Sequence, residues 1–263
     1  MGLFDQDTAI ENIGDNRWKA QLTERWCIGS VPNGGYLMAI AAKALSEALP
    51  HKEPMSINGF YMAASRVGEC EIVVEPLTLA KSTSYAVAKL IQDGELKIQF
   101  TAAYTELDKL YGETLMQAEP PQVPAFEDCI DIPKSPMIKV QEYTVQKVEA
   151  GADKNFLGEP QKNGEWSGWI DFEDGNDIDV YGLLYFTDAF PPPVFTHFGP
   201  TGWVPTVELT VQVRAKPVKG PLKVHFKSKM MTQGVLEEDG EIWDAEGNLL
   251  AISRQTAKFR LPS

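Results

Sequence analysis

The chain is organised around one segment, Ser30-Val-Pro-Asn-Gly-Gly-Tyr-Leu-Met-Ala-Ile-Ala-Ala-Lys-Ala-Leu45. Pro32 suits the first turn of a helix, and the side chain of Asn33 suits the cap that binds free backbone amides. Apolar residues then recur at helical spacing as far as Leu45, with few polar positions between them. A helix that is apolar on nearly all sides is buried, so the segment predicts a buried helix that begins near Pro32.

The glycine pair at the start of this helix allows two interpretations. Gly34 and Gly35 place unbonded N–H groups and the positive end of the helix dipole beside two residues without side chains. A carbonyl oxygen or a phosphate group can bind at such a place. Alternatively, the two glycines only let a core helix pack closely, and this segment taken alone leaves both interpretations open.

Composition limits the class of protein. The 263 residues suffice for one large domain or two small ones, and the formal net charge of −13 predicts no nucleic-acid partner. Cys27, Cys70 and Cys129 are odd in number and, like the three histidines, lack metal-ligand spacing. We therefore expect free thiols, no bound metal ion and no cofactor.

The N-terminal residues do not have the pattern of a secretory signal, because Asp5, Asp7 and Glu11 interrupt them. No apolar run has the length of a membrane span. These two observations predict a cytoplasmic protein without a membrane partner.

The remaining sequence is typical of two strand-rich halves. Alternation and turn signals predict strands in the first half at 16–27, 56–62, 71–79, 84–92 and 96–104. In the second half they predict a helix at 179–190 and strands at 206–214, 222–232, 234–244 and 249–260. The proline-containing stretch between the halves has weak periodicity, with a short strand predicted at 137–148.

The two halves share one plan, in which a buried helix precedes an antiparallel run of strands. Asp93-Gly94 in the first half matches Glu246-Gly247 in the second as the turn of the last hairpin. Strands packed on a helix in this way predict an α+β architecture. We expect an N-terminal unit at 1–108, a connector at 109–164 and a C-terminal unit at 165–263.

A duplicated helix wrapped by an antiparallel sheet resembles the double hotdog fold. The motif Pro32-Asn-Gly-Gly-Tyr36, placed after Trp26, resembles the start of the first hotdog helix in acyl-CoA thioesterases of the TesB (thioesterase II) type. The resemblance covers 18–105 and 169–260. It implies an acyl-CoA substrate that is hydrolysed by direct attack of water, without a covalent intermediate. Since hotdog sheets commonly associate, it also implies a homo-oligomer.

The resemblance assigns three catalytic residues. In this family an Asp on the second hotdog helix, a Thr or Ser that opens the next strand and a Gln on the last strand hold the water. The matching positions are Asp188, Thr206 and Gln255. The resemblance implies that Asp188 accepts the proton of the water, while Thr206 and Gln255 orient it.

The turn glycines support this register. Gly247 precedes Gln255 by the same interval as Gly94 precedes Ala102, so the first half has an alanine where the second has the glutamine. The chain also departs from the family pattern, because Glu208 stands where an Asp-His pair normally follows the Thr.

The helix start supplies the expected substrate-binding residues. We expect Asn33, Gly34, Gly35 and Tyr36 to contact the substrate, with the amides near Gly35 and Tyr36 polarising the thioester oxygen. Aromatic and methionine side chains are candidates for an acyl tunnel, although most suit a packed core equally well. They are Trp26, Tyr36, Phe60, Tyr61, Met62, Tyr185, Phe186 and Trp203.

Other interpretations remain open at this point. Asp188 could bond backbone amides near a helix end, Thr206 could be an ordinary strand residue, and Gln255 could be exposed. The chain could then be a catalytically silent acyl- or CoA-binding hotdog protein. A hotdog dehydratase is a third alternative, with His197 as its candidate residue. The absence of a G-x-S-x-G motif argues against a serine hydrolase.

Overall fold

A computed structural model describes residues 1–217 and 219–261 of the chain. Within these residues there are five α-helices: α1 Leu3–Asp7, α2 Gly34–Ala48, α3 Val140–Tyr143, α4 Val180–Phe186 and α5 Val194–Phe198. The strands of the first half are β1 Ile10–Gly14, β2 Arg17–Leu22, β3 Cys27–Ile28, β4 Val31–Pro32, β5 Glu53–Tyr61, β6 Gly68–Leu79, β7 Ser84–Gln92 and β8 Glu95–Thr105. The following strands are β9 Ile130–Asp131, β10 Thr144–Val148, β11 Glu165–Phe172, β12 Thr206–Val213, β13 Leu222–Lys227, β14 Met231–Thr232, β15 Val235–Trp243 and β16 Leu249–Lys258.

Helix α2 confirms the helix predicted from the opening segment. The side chain of Asn33 caps it by accepting a hydrogen bond from the N–H of Tyr36 at 3.0 Å. Pro32 lies just outside the helix, where it pairs with Cys27 in the small β3–β4 hairpin. Ten of the fifteen helical residues are buried, as the apolar pattern requires.

One antiparallel sheet of 14 strands holds the molecule together. Its order is β1-β2-β6-β7-β8-β5-β12-β16-β15-β13-β11-β10-β9, with β14 paired to β15. The two halves join where β5 pairs with β12, with Gly59 opposite Leu209. Helices α2 and α4 pack together within the curve of this sheet, and their buried residues form a continuous apolar core. The observed architecture is the tandem hotdog of the α+β class.

The strand register reproduces the repeat seen in the sequence. Ala102 on β8 pairs with Ala86 on one side and with Ile57 on the other. Gln255 on β16 pairs in the same way with Glu238 and with Leu209. Position 102 of the first half is therefore the structural counterpart of position 255.

The second helix is shorter than its predicted span of 179–190. Asp179 caps α4 with its carboxylate, and the helix ends at Phe186. Residues 187–189 continue as turns before the proline run 191–193, which cannot extend a helix. Asp188 therefore lies just beyond the helix, where its side chain is free to turn toward α2.

The predicted strand 16–27 is also interrupted. Strand β2 ends at Leu22 and a 3-10 turn follows at Glu24–Trp26, because the carboxylate of Asp7 binds the side chains of Arg25 and Trp26. This contact draws Trp26 into a buried aromatic cluster with Phe4. The turn thus replaces the end of the predicted strand.

The region predicted as a connector contributes to the sheet. Its predicted strand at 137–148 is present only as β10, and the short helix α3 replaces the first part. Strand β10 pairs with β11, and Ile130 of β9 pairs with Val148, so the sheet of the second half reaches back to Ile130. The limits 1–108, 109–164 and 165–263 stay a prediction, and residues 262 and 263 lie outside those described.

The predicted strand 222–232 is divided into β13 and β14, while the other predicted strands are present with ends shifted by a few residues. Over the described ranges, no helix is long and apolar enough to cross a membrane.

Candidate functional site

The carboxylate of Asp188 lies against the first turn of α2. Its Oδ2 accepts hydrogen bonds from the backbone N–H of Gly35 at 3.0 Å and from Asn33 Nδ2 at 2.9 Å. The same Asn33 amide also donates to the backbone oxygen of Asp188 at 2.7 Å. The helix start of the first half thus fixes the position of an acid from the second half.

Thr206 and Gln255 complete the cluster predicted from the sequence. Gln255 Nε2 donates to Asp188 Oδ1 at 2.6 Å and to Thr206 Oγ1 at 2.9 Å. Gln255 is 5% exposed on the inner face of β16, and Thr206 opens the adjacent strand β12. One amide therefore joins the three side chains in a single hydrogen-bonded group.

The surroundings of Asp188 raise the pKa of its carboxyl group to about 6. Burial disfavours the charged form and is the largest cause of this shift. Hydrogen bonds from Gly35, Gln255, Gly34 and Thr206 stabilise the anion and limit the shift. Near neutral pH the group is ionised, yet it is a stronger base than an exposed aspartate.

The four residues expected to bind substrate have different positions. Asn33 and Gly34 line the cavity beside Asp188, and the N–H of Gly35 is bonded to the carboxylate. The N–H of Tyr36 is bonded to the cap, and its hydroxyl donates to the backbone oxygen of Asp7 at 2.8 Å. The amides of Gly35 and Tyr36 thus have acceptors other than the thioester oxygen expected from the sequence.

A cavity of about 410 Å³ opens next to the cluster, within the size range of small-molecule sites. Most of its wall is apolar, from both halves of the chain. Three of the side chains predicted for an acyl tunnel contribute to it, namely Tyr61, Met62 and Trp203. Of the others, Trp26, Tyr36, Tyr185 and Phe186 belong to the packed core, while Phe60 is 52% exposed.

Sequence reasoning missed several polar residues of this cavity, among them Gln146 and Glu238. Gln146 Nε2 donates to the backbone oxygen of Ala189, the residue after Asp188, at 2.5 Å. Glu238 occupies one of the alternate positions of β15 that face inward. This signal was visible in the sequence, where Glu238 lies in the same alternation as Leu236 and Ile242.

Two residues singled out in the sequence lie elsewhere. His197 is exposed on α5 and is not part of the cavity wall, so the dehydratase alternative lacks its candidate residue there. Glu208 instead joins the two halves, because its carboxylate accepts hydrogen bonds from Asn58 of β5 and from Thr210. Among the described residues, no group of three or more His, Cys, Asp or Glu side chains has an arrangement that could hold a metal ion.

Two family models match the two halves of the chain. A model of the acyl-CoA thioesterase N-terminal domain matches residues 22–105, and one of the acyl-CoA thioesterase C-terminal domain matches residues 118–259. A thioesterase-like protein of Talaromyces wortmannii, TwmA, is 23% identical over 97% of this chain and 91% of its own length.

Solved structures support the fold. A candidate thioesterase II from Thermobifida fusca is 27% identical, with a TM-score of 0.91 over 99% of this chain and 98% of that one. The acyl-CoA thioesterase II TesB2 of Mycobacterium marinum is 16% identical, with a TM-score of 0.80 over 99% of both chains. At that identity the second structure supports the fold alone.

Proposed function

This chain belongs to the acyl-CoA thioesterase family, and we propose that Asp188, Thr206 and Gln255 hold the water that attacks the thioester. The observation that carries the proposal is the hydrogen bonding of both Asp188 and Thr206 to the single amide of Gln255. A water molecule bound to this group would have its orientation fixed by side chains that are themselves held in place.

The proposed reaction uses the raised basicity of Asp188. As the water oxygen forms its bond to the thioester carbon, one water proton passes to the Asp188 carboxylate. The resulting tetrahedral intermediate then breaks its C–S bond, so that the thiolate of CoA leaves and the free acid remains. Return of the proton from Asp188 to the products and solvent restores the starting state.

The cavity accommodates the substrate next to this group. Its apolar wall, which includes Leu37, Ile98 and Phe190, suits the hydrocarbon part of an acyl group. Lys258, at the end of β16, is a positively charged residue of the wall and suits the phosphate-bearing part of CoA. Asn33 holds the Asp188 carboxylate, so within the proposal it acts as a positioning residue.

A homo-oligomer in the cytoplasm is part of the same proposal. Three apolar side chains of the paired strands β6 and β7 are exposed, namely Leu77, Leu79 and Tyr85, and their exposure supports association with a second copy. All three cysteines are free, which agrees with a reducing compartment. The mass in solution tests the association, and a strict monomer would contradict it.

The decisive experiment measures thiol release from a panel of acyl-CoAs of different chain lengths. We expect wild-type turnover on at least one of them, and a loss of about 100- to 10,000-fold in kcat for Asp188→Asn. Asp179→Asn is the matched control, because an asparagine can still cap α4 while Asp188 stays intact.

Two results would contradict the proposal. Tight binding of CoA by the wild-type protein without turnover of any acyl-CoA would indicate a silent binding module. Undiminished turnover by Asp188→Asn would remove Asp188 from the mechanism.

A further inference from the structure

Glu238 is a carboxylic acid on an otherwise apolar strand face. The residues of β15 that point inward are Leu236, Glu238, Gly240 and Ile242, and all four are buried. Glu238 itself is 6% exposed and forms part of the cavity wall. A carboxyl group is costly to bury among apolar neighbours, so its presence at this cavity requires an explanation.

The strand register places Glu238 next to the catalytic cluster. Its partner across the β15–β16 pair is Gln255, whose amide binds Asp188. Side chains of directly opposed residues on one sheet face have Cβ atoms about 4.5–5.5 Å apart. In the first half the equivalent pair is Ala86 and Ala102. The polar pair is thus present only in the half that supplies Asp188.

Among the described residues, no group forms a hydrogen bond with the carboxyl group of Glu238. Burial raises its pKa well above the ordinary value, and the negative charge of Asp188 raises it further. Both causes favour the protonated form of the side chain, whose O–H can donate a hydrogen bond at the cavity.

The donors around Asp188 are otherwise engaged. The N–H of Gly35 and the amide of Asn33 bind the Asp188 carboxylate, and the N–H of Tyr36 binds the helix cap. Gln255 donates to Asp188 and to Thr206. A thioester in this cavity needs a further donor for the negative charge that develops on its oxygen.

We propose that the O–H of Glu238 donates a hydrogen bond to the thioester oxygen, and that this hydrogen bond becomes stronger as water attacks the adjacent carbon. The inference rests on the proposed function and extends it to a fourth catalytic side chain. The charges balance, because the water proton neutralises Asp188 while one negative charge appears on the thioester oxygen. Glu238 keeps its proton throughout, and the negative charge passes from that oxygen to the sulfur of CoA when the C–S bond breaks.

The proposal requires Glu238 to stay protonated. The other titratable groups of the cavity wall, among the described residues, are Tyr61 from β5, Asp188 from the turn after α4, and Lys258 from β16. Its neighbours on β15, Glu237 and Asp239, lie on the opposite strand face, where Glu237 accepts from the backbone N–H of Lys229 and Asp239 accepts from its ammonium group. Loss of the Glu238 proton at high pH would remove the donor and place a second anion beside Asp188.

Two substitutions separate hydrogen-bond donation from packing. Glu238→Gln keeps a donor but cannot ionise, whereas Glu238→Leu has no donor and suits the apolar face. We expect the Leu variant to lose about 100- to 1,000-fold in kcat with little change in KM. The Gln variant should stay within about tenfold of wild type and should lose the decline in activity at high pH.

Controls keep the result interpretable. Glu241→Gln changes a carboxylate on the opposite face of the same strand, where it accepts from Trp243 Nε1, and should leave kcat unchanged. A thermal melt of the Leu variant shows whether it is folded, and replacing a buried acid by leucine is expected to preserve stability.

Wild-type kcat in a folded Glu238→Leu variant would overturn the proposal, as would equal losses in the Gln and Leu variants. Absence of wild-type turnover on every acyl-CoA would instead contradict the proposed function itself, so the two failures are distinguishable.

Discussion

The Asp188 carboxylate accepts a hydrogen bond from the backbone N–H of Gly35 at 3.0 Å, across 153 positions of sequence. The acid that we propose as the base therefore lies at the N-terminus of a helix from the other half of the chain. The partial positive charge of that helix end stabilises the anion and offsets part of the cost of burial. Each half alone would lack either the acid or the amides that hold it.

We predict that Asp188→Asn stabilises the protein at alkaline pH. The folded-state pKa of Asp188 is about 6, above its ordinary value of 3.8, so its protonated form favours folding. This favourable contribution is present below about pH 4 and is lost as the pH rises through 6. The asparagine variant has no such loss. We therefore compare the difference in the free energy of unfolding, variant minus wild type, at two pH values. This difference should be larger at pH 8 than at pH 4 by about 1–3 kcal/mol.

Chemical denaturation at both pH values measures this difference. A constant difference between Asp188→Asn and wild type across the pH range would contradict the raised pKa of Asp188.

We predict that kcat/KM decreases as the pH falls through about 6, since only the ionised Asp188 accepts a proton. The amide of Gln255 lowers this pKa by donating to the carboxylate. Gln255→Met removes that donor, so the decrease should begin at a higher pH in the variant. A pH–rate profile of both proteins measures the shift, and coincident acid limbs would show that Gln255 does not act on Asp188.

We predict that Gly35→Ala mainly lowers stability, whereas Gly34→Ala mainly lowers activity. A Cβ on Gly35 would lie 2.7 Å from the backbone oxygen of Tyr185, so Gly35→Ala must separate α2 from α4. We expect it to lower the free energy of unfolding by about 1–3 kcal/mol. A Cβ on Gly34 would lie 2.9 Å from Asp188 Oδ2 and 3.0 Å from Tyr61 Cε1, which are side-chain atoms.

For Gly34→Ala we therefore expect a small loss of stability and a decrease in kcat of about tenfold or more, because the displaced carboxylate no longer aligns the water. Thermal melts and acyl-CoA assays on both variants test the contrast. Equal effects of the two substitutions on stability would contradict this assignment of the two glycines.

We predict that Asp7 is a main anchor of the N-terminal segment. Burial tends to raise the pKa of Asp7, but hydrogen bonds from Arg25 and Trp26 outweigh it and hold the pKa below the ordinary value. Asp7→Ala leaves the buried Trp26 Nε1–H without its acceptor, and we expect a loss of about 2–4 kcal/mol in the free energy of unfolding.

The exposed ion pair between Arg17 and Glu71 provides the comparison. Glu71→Ala should change the free energy of unfolding by less than about 1 kcal/mol. Because the pKa of Asp7 is lowered in the folded state, its contribution should also decline as the pH falls through that pKa. Equal losses from the two substitutions in urea titrations would argue against the anchor.

Much of the fold was predictable because its signals are local. Asp93-Gly94 specifies a tight hairpin turn, and the structure has β7 and β8 on either side of it. Asn33 caps α2 through contacts within four residues of the chain. The same local rules overestimated the second helix, which ends at Phe186 and leaves residues 187–189 as turns.

The candidate site was only partly predictable. The family resemblance and the turn spacing pointed to Asp188, Thr206 and Gln255, and the structure brings these three side chains together. The partners of the Gly35 and Tyr36 amides could not be read from the sequence, because they depend on how α2 meets the second half. Glu238 was visible as an acid in an apolar alternation, but its strand partner was not.

The sequence by itself determined the buried glycine-led helix, the hairpin turns, the duplication and the family, since each depends on residue types at short spacing. Only the tertiary structure decided that Asp188 binds the helix start of the other half and that Glu238 lies across from Gln255. The physical reason is that burial and hydrogen bonding, which set the basicity of a carboxylate, depend on groups brought together through space.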